Sequence, residues 1–153
     1  MAGFVMDDED IERFLADTRG TLCTDGIFGG KPHLRAVGTY PRLLEHYVRE
    51  RETIPLELAV YKAAGHPADV LGIPDRGRIR EGYVADFVVF DPDQVRANAT
   101  YDNPMQLSEG IDHVLVDGEF VVKNGEPTGA RPGSVLRSVE EWDGPQRPAL
   151  GER

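Results

Sequence analysis

The stretch Thr21-Leu22-Cys23-Thr24-Asp25-Gly26 decides the predicted fold class of this chain. The short run at residues 21–24 predicts a buried strand, and Asp25 follows at the carboxyl end of that strand. Gly26 suits the turn that leaves the strand. Because α/β folds place reactive side chains at the carboxyl ends of their strands, Asp25 is the first candidate for chemistry.

The loop after Asp25 carries an imidazole and a guanidinium, His33 and Arg35. Residues 27–40 contain three glycines and a proline, so we predict an irregular loop that can approach a ligand closely. A carboxylate can shuttle a proton, and an arginine can bind a carboxylate through two parallel hydrogen bonds. From the residues alone a structural alternative stays open, in which Asp25 caps a turn and Arg35 is solvated.

Several motifs carry a resemblance to a known family: Thr24-Asp25-Gly26, Lys31-Pro32-His33-Leu34-Arg35, Gly38-Thr39-Tyr40-Pro41-Arg42, Gly82-Tyr83-Val84-Ala85-Asp86 and Gly129-Ala130-Arg131-Pro132-Gly133. Over about residues 4–137, the sequence resembles the C-terminal part of N-acyl-D-amino-acid deacylases (D-aminoacylases), members of the amidohydrolase superfamily. The Gly-Tyr-Val-Ala-Asp motif is common to many amidohydrolases, whereas the Pro-His-x-Arg and Gly-Thr-Tyr-Pro-Arg motifs are more specific to the deacylases.

The resemblance implies an α/β fold and a zinc-dependent reaction. Residues 1–76 would form the last βα units of an incomplete (β/α)8 amidohydrolase barrel, and residues 77–138 a small antiparallel β-domain. Asp25 would act as general base and then general acid around a zinc-bound water, Arg35 would bind the α-carboxylate of an N-acyl-D-amino acid, and His33 would be a second substrate-binding residue. Two departures from the family pattern, Thr24 in place of Ser and Leu34 in place of Pro, remove no functional group.

The number of residues conflicts with a complete barrel, because 153 residues are fewer than the about 250 that a (β/α)8 barrel needs. The single cysteine and the four histidines, at positions 23, 33, 46, 66 and 113, show no spacing typical of a zinc site. We therefore expect no metal ligands in this chain and no activity when it is alone. Zinc is then the cofactor of the full-length family, and the partner is either the missing N-terminal barrel part or a second copy.

Other functional classes stay open at this stage. The chain could be a non-catalytic remnant, or one half of a split amidohydrolase whose N-terminal half is encoded separately. Related amidohydrolases that act on cyclic amides or deaminate purines share the Gly-Tyr-Val-Ala-Asp motif, but we do not expect them to carry the Pro-His-x-Arg loop.

The composition excludes several partners. There are 17 Lys and Arg residues against 27 Asp and Glu, giving a formal charge of −10, so nucleic acid and anionic membranes are poor partners. One cysteine cannot form an internal disulfide, and no apolar run reaches the roughly 20 residues that span a bilayer. These features, with an acidic N-terminus, predict a cytoplasmic location.

Local patterns predict the remaining elements. Helices are expected at residues 8–17, 40–51 and 67–71. A further helix is expected to begin within residues 54–57 and to end at Gly65 as its C-cap. Strands are expected at 87–90, 113–116 and 119–123, with Asp117-Gly118 forming a two-residue hairpin turn. Asp86 is expected to bind backbone amides in a turn, and residues 139–153 to be a disordered tail.

Overall fold

The structure, a computed structural model, describes residues 6–137. Its first half is helical: α1 is Asp8–Ala16, α2 is Arg35–Arg42 and continues as a π-helix over Leu43–Glu50, α3 is Leu56–Val60 and continues as a π-helix over Tyr61–Gly65, and α4 is His66–Val70. The second half holds the strands β1 (Phe87–Phe90), β2 (Ile111–Val116), β3 (Glu119–Lys123) and β4 (Glu126–Pro127). The predicted tail at 139–153 lies outside the described residues, so its disorder stays a prediction.

Helix α1 lies where its sequence pattern predicts. Asp7 caps the helix, since its Oδ1 accepts a hydrogen bond from the Asp10 amide at 2.9 Å. Three acidic residues follow in the first turn, where the helix dipole favours negative charge. Further along the helix Leu15 is buried, whereas Phe14 is exposed, so the apolar stripe is covered only in part.

The second helix begins earlier than predicted. We expected Pro41 in its first turn, but α2 begins at Arg35 and Pro41 lies inside it. Proline has no N–H to donate, so the helix lacks one backbone hydrogen bond there. From Leu43 the backbone widens into a π-helix, which ends with the Arg51 amide bonded to the His46 carbonyl at 2.9 Å.

The predicted C-cap at Gly65 is wrong. The backbone stays helical from Leu56 through Val70, and Gly65 is a buried residue within this run. A Cβ on Gly65 would lie 3.0 Å from the Tyr61 ring and 3.4 Å from the Gly77 carbonyl oxygen. Close packing, rather than the end of a helix, therefore explains the glycine.

The strand predicted for residues 21–24 is also wrong. These residues have no regular structure, and their side chains alternate between exposed and half-buried. The Leu22 amide donates to the Lys62 carbonyl at 3.1 Å rather than to a neighbouring strand. Within residues 6–137 no strand lies beside this segment, and a strand needs such a neighbour to pair its backbone groups.

The core belongs to the helical half. Leu15, Leu43, Tyr47, Ile54 and Ala59 form one buried cluster, and Leu22 packs against it. The segment before Asp25 is thus held to the core by one half-buried side chain. None of the residues in β1 to β4 is fully buried, so the sheet contributes little to this core.

The antiparallel sheet confirms the strand predictions of the second half. Its order is β1-β2-β3-β4, with Val88 opposite Val114 and Val114 opposite Val122. Asp117 and Gly118 both have positive φ, 51° and 78°, as a type I′ hairpin turn requires. Asn124 and Gly125 form the same kind of turn before the short strand β4, with φ of 53° and 79°.

Hydrogen bonds join the helical half to the segment that precedes β2. Arg49 Nη1 donates to the carbonyl oxygens of Pro92 and Val95, each at 2.9 Å. Glu45 accepts from the Ala97 amide at 2.8 Å, and Val95 is completely buried. The division predicted between residues 76 and 77 stays a prediction, and these contacts cross it. In the part of the chain that the structure describes, no helix is long and apolar enough to cross a bilayer.

Candidate active site

Asp25 and Arg35, predicted as the acid–base residue and the carboxylate-binding residue, are in contact. Arg35 Nη2 lies 2.6 Å from Asp25 Oδ2, and Arg35 Nε donates to the backbone oxygen of Asp25 at 3.0 Å. One guanidinium therefore holds both the side chain and the main chain of Asp25.

The backbone at Asp25 makes this contact possible. Asp25 has φ of 45°, a left-handed conformation that aspartate tolerates better than most residues. Gly26 follows with its amide bonded to Thr24 Oγ1 at 3.2 Å, and a Cβ on Gly26 would lie only 3.1 Å from Ala36 Cα. The turn therefore packs directly on the start of α2, where Arg35 lies.

His33 holds the first turn of α2. Its Nδ1 accepts a hydrogen bond from the Arg35 amide at 3.1 Å, so the proton of the neutral ring is on Nε2. Thr39 Oγ1 donates to the Arg35 carbonyl at 2.8 Å, which fixes the same residue from the next turn. His33, predicted to bind substrate, thus contacts the backbone of the residue predicted to bind the carboxylate.

Tyr101 belongs to the same cluster, although no motif in the sequence marks it as a site residue. Its ring meets the His33 ring edge-on, with the centroids 5.3 Å apart and the planes at 86°. Its place in the irregular loop 98–110, where no helix or strand pattern explains an aromatic side chain, was the only signal. Tyr101, His33 and Arg35 border a cleft of about 250 Å³. The cleft is otherwise mostly apolar, lined by Ile11, Leu15, Leu22, Leu34, Leu43 and Tyr47 among others.

The ion pair between Asp25 and Arg35 is open to solvent. The Asp25 side chain is 70% exposed and that of Arg35 is 42% exposed. Exposed pairs of this kind contribute only about 0–1 kcal/mol to stability. A ligand carboxylate can therefore replace Asp25 at the guanidinium with little loss of folding free energy.

The described residues do not fit a zinc site. Within residues 6–137, no group of three His, Cys, Asp or Glu side chains could hold a metal ion. The histidines instead contact groups of the protein itself: Arg35 N for His33, Glu50 for His46, Arg19 O for His66 and Asn124 N for His113. Cys23 is exposed.

Comparison with known proteins identifies the family to which this chain belongs. Residues 17–122 match the amidohydrolase family, and the chain belongs to that family. The chain is 41% identical to a D-aminoacylase from Alcaligenes xylosoxydans xylosoxydans over 134 residues, covering 87% of this chain and 28% of the relative. It is 43% identical to an N-acyl-D-aspartate deacylase from the same organism over 135 residues, covering 87% of this chain and 27% of that protein.

A solved structure agrees with these relatives. The N-acyl-D-glutamate deacylase from Bordetella bronchiseptica, complexed with zinc and a phosphonate mimic of the tetrahedral intermediate, matches with a TM-score of 0.81 and 40% identity. The match covers 87% of this chain and 28% of that one. The predicted resemblance is confirmed, as is zinc as a metal of a full-length relative. This chain spans less than a third of the length of the relatives it matches.

Proposed function

We propose that this chain supplies two residues to an enzyme site that hydrolyses the amide bond of N-acyl-D-amino acids. Asp25 is the proton-transfer carboxylate and Arg35 binds the α-carboxylate of the substrate. The contact between Arg35 Nη2 and Asp25 Oδ2 at 2.6 Å carries this proposal. The contact supports the proposal because the guanidinium already pairs with a carboxylate beside the candidate acid–base residue, as binding of a substrate carboxylate requires.

The exposed ion pair supports an exchange of partners during binding. When the substrate carboxylate takes the Arg35 guanidinium, the Asp25 carboxylate is released toward the amide group. Asp25 then accepts a proton from the attacking water and passes it to the nitrogen of the leaving amine. The products are a carboxylic acid and a free D-amino acid.

In this proposal the remainder of the site comes from outside the described residues. In the assembled enzyme residues 1–76 would supply the last βα units of a (β/α)8 barrel, whose strands form only when the neighbouring barrel strands are present to pair with them, and residues 77–138 would supply the small β-domain beside it. Zinc would polarise the amide carbonyl, but its ligands lie on barrel strands that residues 6–137 do not provide. The chain alone is therefore inactive, and its partner is the rest of the barrel.

A chimaeric enzyme tests this assignment. The chain replaces the matching 28% of the Alcaligenes D-aminoacylase, and hydrolysis of N-acetyl-D-methionine is measured together with zinc content. We expect the chimaera to bind zinc and turn over, and the isolated chain to do neither. Asp25→Asn should lower kcat by about 10²- to 10⁴-fold, because general acid–base catalysis contributes that much.

Arg35→Gln in the same chimaera tests carboxylate binding. We expect KM to rise by about 10- to 100-fold, since a hydrogen bond to a charged group is worth about 1.5–3 kcal/mol. Arg80→Gln is the matched control, because Arg80 lies over the Tyr83 ring and outside the cleft. A folded, zinc-loaded chimaera without turnover would favour the non-catalytic remnant, and unchanged kinetics in Asp25→Asn would contradict the role of Asp25.

A further inference from the structure

The position of the Arg35 guanidinium depends on the first turn of α2. Arg35 is the first residue of that helix, and its amide belongs to the group of early N–H donors that have no partner within the helix. The preceding residue, Leu34, has no side chain that can accept this bond. His33 Nδ1 accepts it instead, so the imidazole ring fixes where the helix begins.

The His33 ring can do this in only one orientation. A half-turn about its Cβ–Cγ bond would present a carbon to the Arg35 amide in place of Nδ1. Tyr101 packs edge-on against the ring at a centroid distance of 5.3 Å, an arrangement that aromatic pairs favour. The tyrosine therefore restrains the ring plane from the side.

Tyr101 is itself well placed to do so. It lies within a tight turn that is closed by two hydrogen bonds, from the Thr100 amide to the Asn103 carbonyl at 3.1 Å and from the Asn103 amide to Thr100 Oγ1 at 3.0 Å. Ala99 packs on α2 at Gly38, where an added Cβ would lie 3.3 Å from the Ala99 side chain. The loop thus rests on the same helix that carries Arg35.

We infer that Tyr101 is a positioning residue for Arg35 and acts through the His33 ring. The inference rests on the proposed function, since it concerns the residue that binds the substrate carboxylate. A side chain 66 positions later in the chain then determines how well this guanidinium is aligned.

NMR spectroscopy of the 153-residue chain tests the coupling directly. In the unaltered chain we expect a single His33 tautomer, with the proton on Nε2, and a protected Arg35 amide. Tyr101→Leu should mix the tautomers and speed exchange of the Arg35 amide by about twofold to tenfold, the range that one aromatic pair supports. Tyr101→Phe should change neither, because the aromatic ring that packs against His33 remains.

A second tyrosine–histidine pair provides the matched control. Tyr61 and His66 also have ring centroids 5.3 Å apart, but His66 contacts the Arg19 carbonyl and not α2. Tyr61→Leu should therefore leave the Arg35 amide unchanged. Equal acceleration in Tyr61→Leu and Tyr101→Leu would overturn the inference, because the effect would then be a general loss of stability.

A double-mutant cycle tests whether the effect passes through His33. In a His33→Ala background, Tyr101→Leu should have no further effect on exchange of the Arg35 amide. Full additivity would overturn the inference.

Ligand binding separates this inference from the proposed function. We expect Tyr101→Leu in the chimaera to raise KM for N-acetyl-D-methionine by about twofold to tenfold while binding of its carboxamide is unchanged. If the unaltered chimaera showed no preference for the acid over the carboxamide, the role of Arg35 would fail. The amide-exchange measurements would still decide whether Tyr101 positions it.

Discussion

Two aspartates of this chain, Asp25 and Asp86, show how the same side chain takes different roles. Both oxygens of Asp86 are committed, since Oδ1 accepts from the Asp117 amide at 2.8 Å and Oδ2 from Arg76 Nε at 3.1 Å. The first of these bonds confirms that Asp86 binds a backbone amide. It joins the residue before β1 to the turn between β2 and β3.

Asp25 is held more loosely. In the region that the structure covers, its carboxylate pairs with Arg35 through one oxygen, and its side chain is about twice as exposed as that of Asp86, 70% against 36%. The number of fixed partners therefore separates a structural carboxylate from one that can exchange partners. Local sequence is a poorer guide, because both aspartates border short segments for which strands were predicted.

The largest predicted difference between the two aspartates is the loss in free energy of unfolding when each is replaced by alanine. Asp86→Ala leaves the Asp117 amide without its partner, so we expect a loss of about 1–3 kcal/mol in the free energy of unfolding. Asp25→Ala removes an exposed ion pair and should cost at most about 1 kcal/mol. Urea unfolding of both variants measures the difference, and equal losses would show that the two carboxylates are held equally firmly.

The segment that leads to Asp25 is hydrogen-bonded to Lys62, a buried lysine. Its burial predicts that the free energy of unfolding depends on pH. Lys62 is 2% exposed, and its Nζ donates to the Asp17 carbonyl at 2.5 Å. Burial lowers the pKa of Lys62 below its ordinary value of 10.5, while the nearby Asp17 charge opposes the shift. The unfolded chain thus keeps this proton to higher pH, and the free energy of unfolding should rise as pH increases between the two pKa values.

Lys62→Met is the variant that checks this effect. Urea unfolding of this variant and of the unaltered chain is compared between pH 7 and pH 11. The increase in free energy of unfolding that Lys62 causes should be absent from the variant. A rise of the same size in both proteins would assign it to other groups.

Replacing Asp25 by glycine is the substitution for which we predict the smallest change in the free energy of unfolding. Asp25→Gly relieves a left-handed conformation, which costs about 1–3 kcal/mol in other residues and less in aspartate, but it also removes the ion pair. We expect the free energy of unfolding to change by less than about 1 kcal/mol. Asp86→Gly should instead be as destabilising as Asp86→Ala, and thermal unfolding of the two glycine variants measures this difference.

The sequence predicted the strands where both partners lie in the same stretch of chain. The apolar run at residues 87–90 forms β1, because β2 follows within about twenty residues and pairs with it. The run at 21–24 carries a similar local signal, but residues 6–137 include no strand beside it. The local sequence pattern indicates that a segment tends to be extended, whereas its pairing into a sheet depends on whether another strand lies beside it.

The same limit applies to the candidate site: residues close together in the sequence were predicted, and a distant one was not. Asp25, His33 and Arg35 lie within eleven consecutive residues, so one loop was enough to bring them together. Tyr101 reaches them only through packing of a distant loop on α2, which no local pattern reports. The predictions for Pro41 and Gly65 were wrong for a related reason, because a proline accepted inside a helix and a glycine required by a close contact depend on tertiary structure.

The bonds from Arg49 and Glu45 to residues 92–97 have a consequence for cooperativity. They join the helical half to the segment between β1 and β2, and Arg78 adds another link across residues 76 and 77 through its pair with Asp69. A chain cut between residues 76 and 77 would separate donors from acceptors at each of these links. The two halves should therefore melt in a single transition rather than as independent modules.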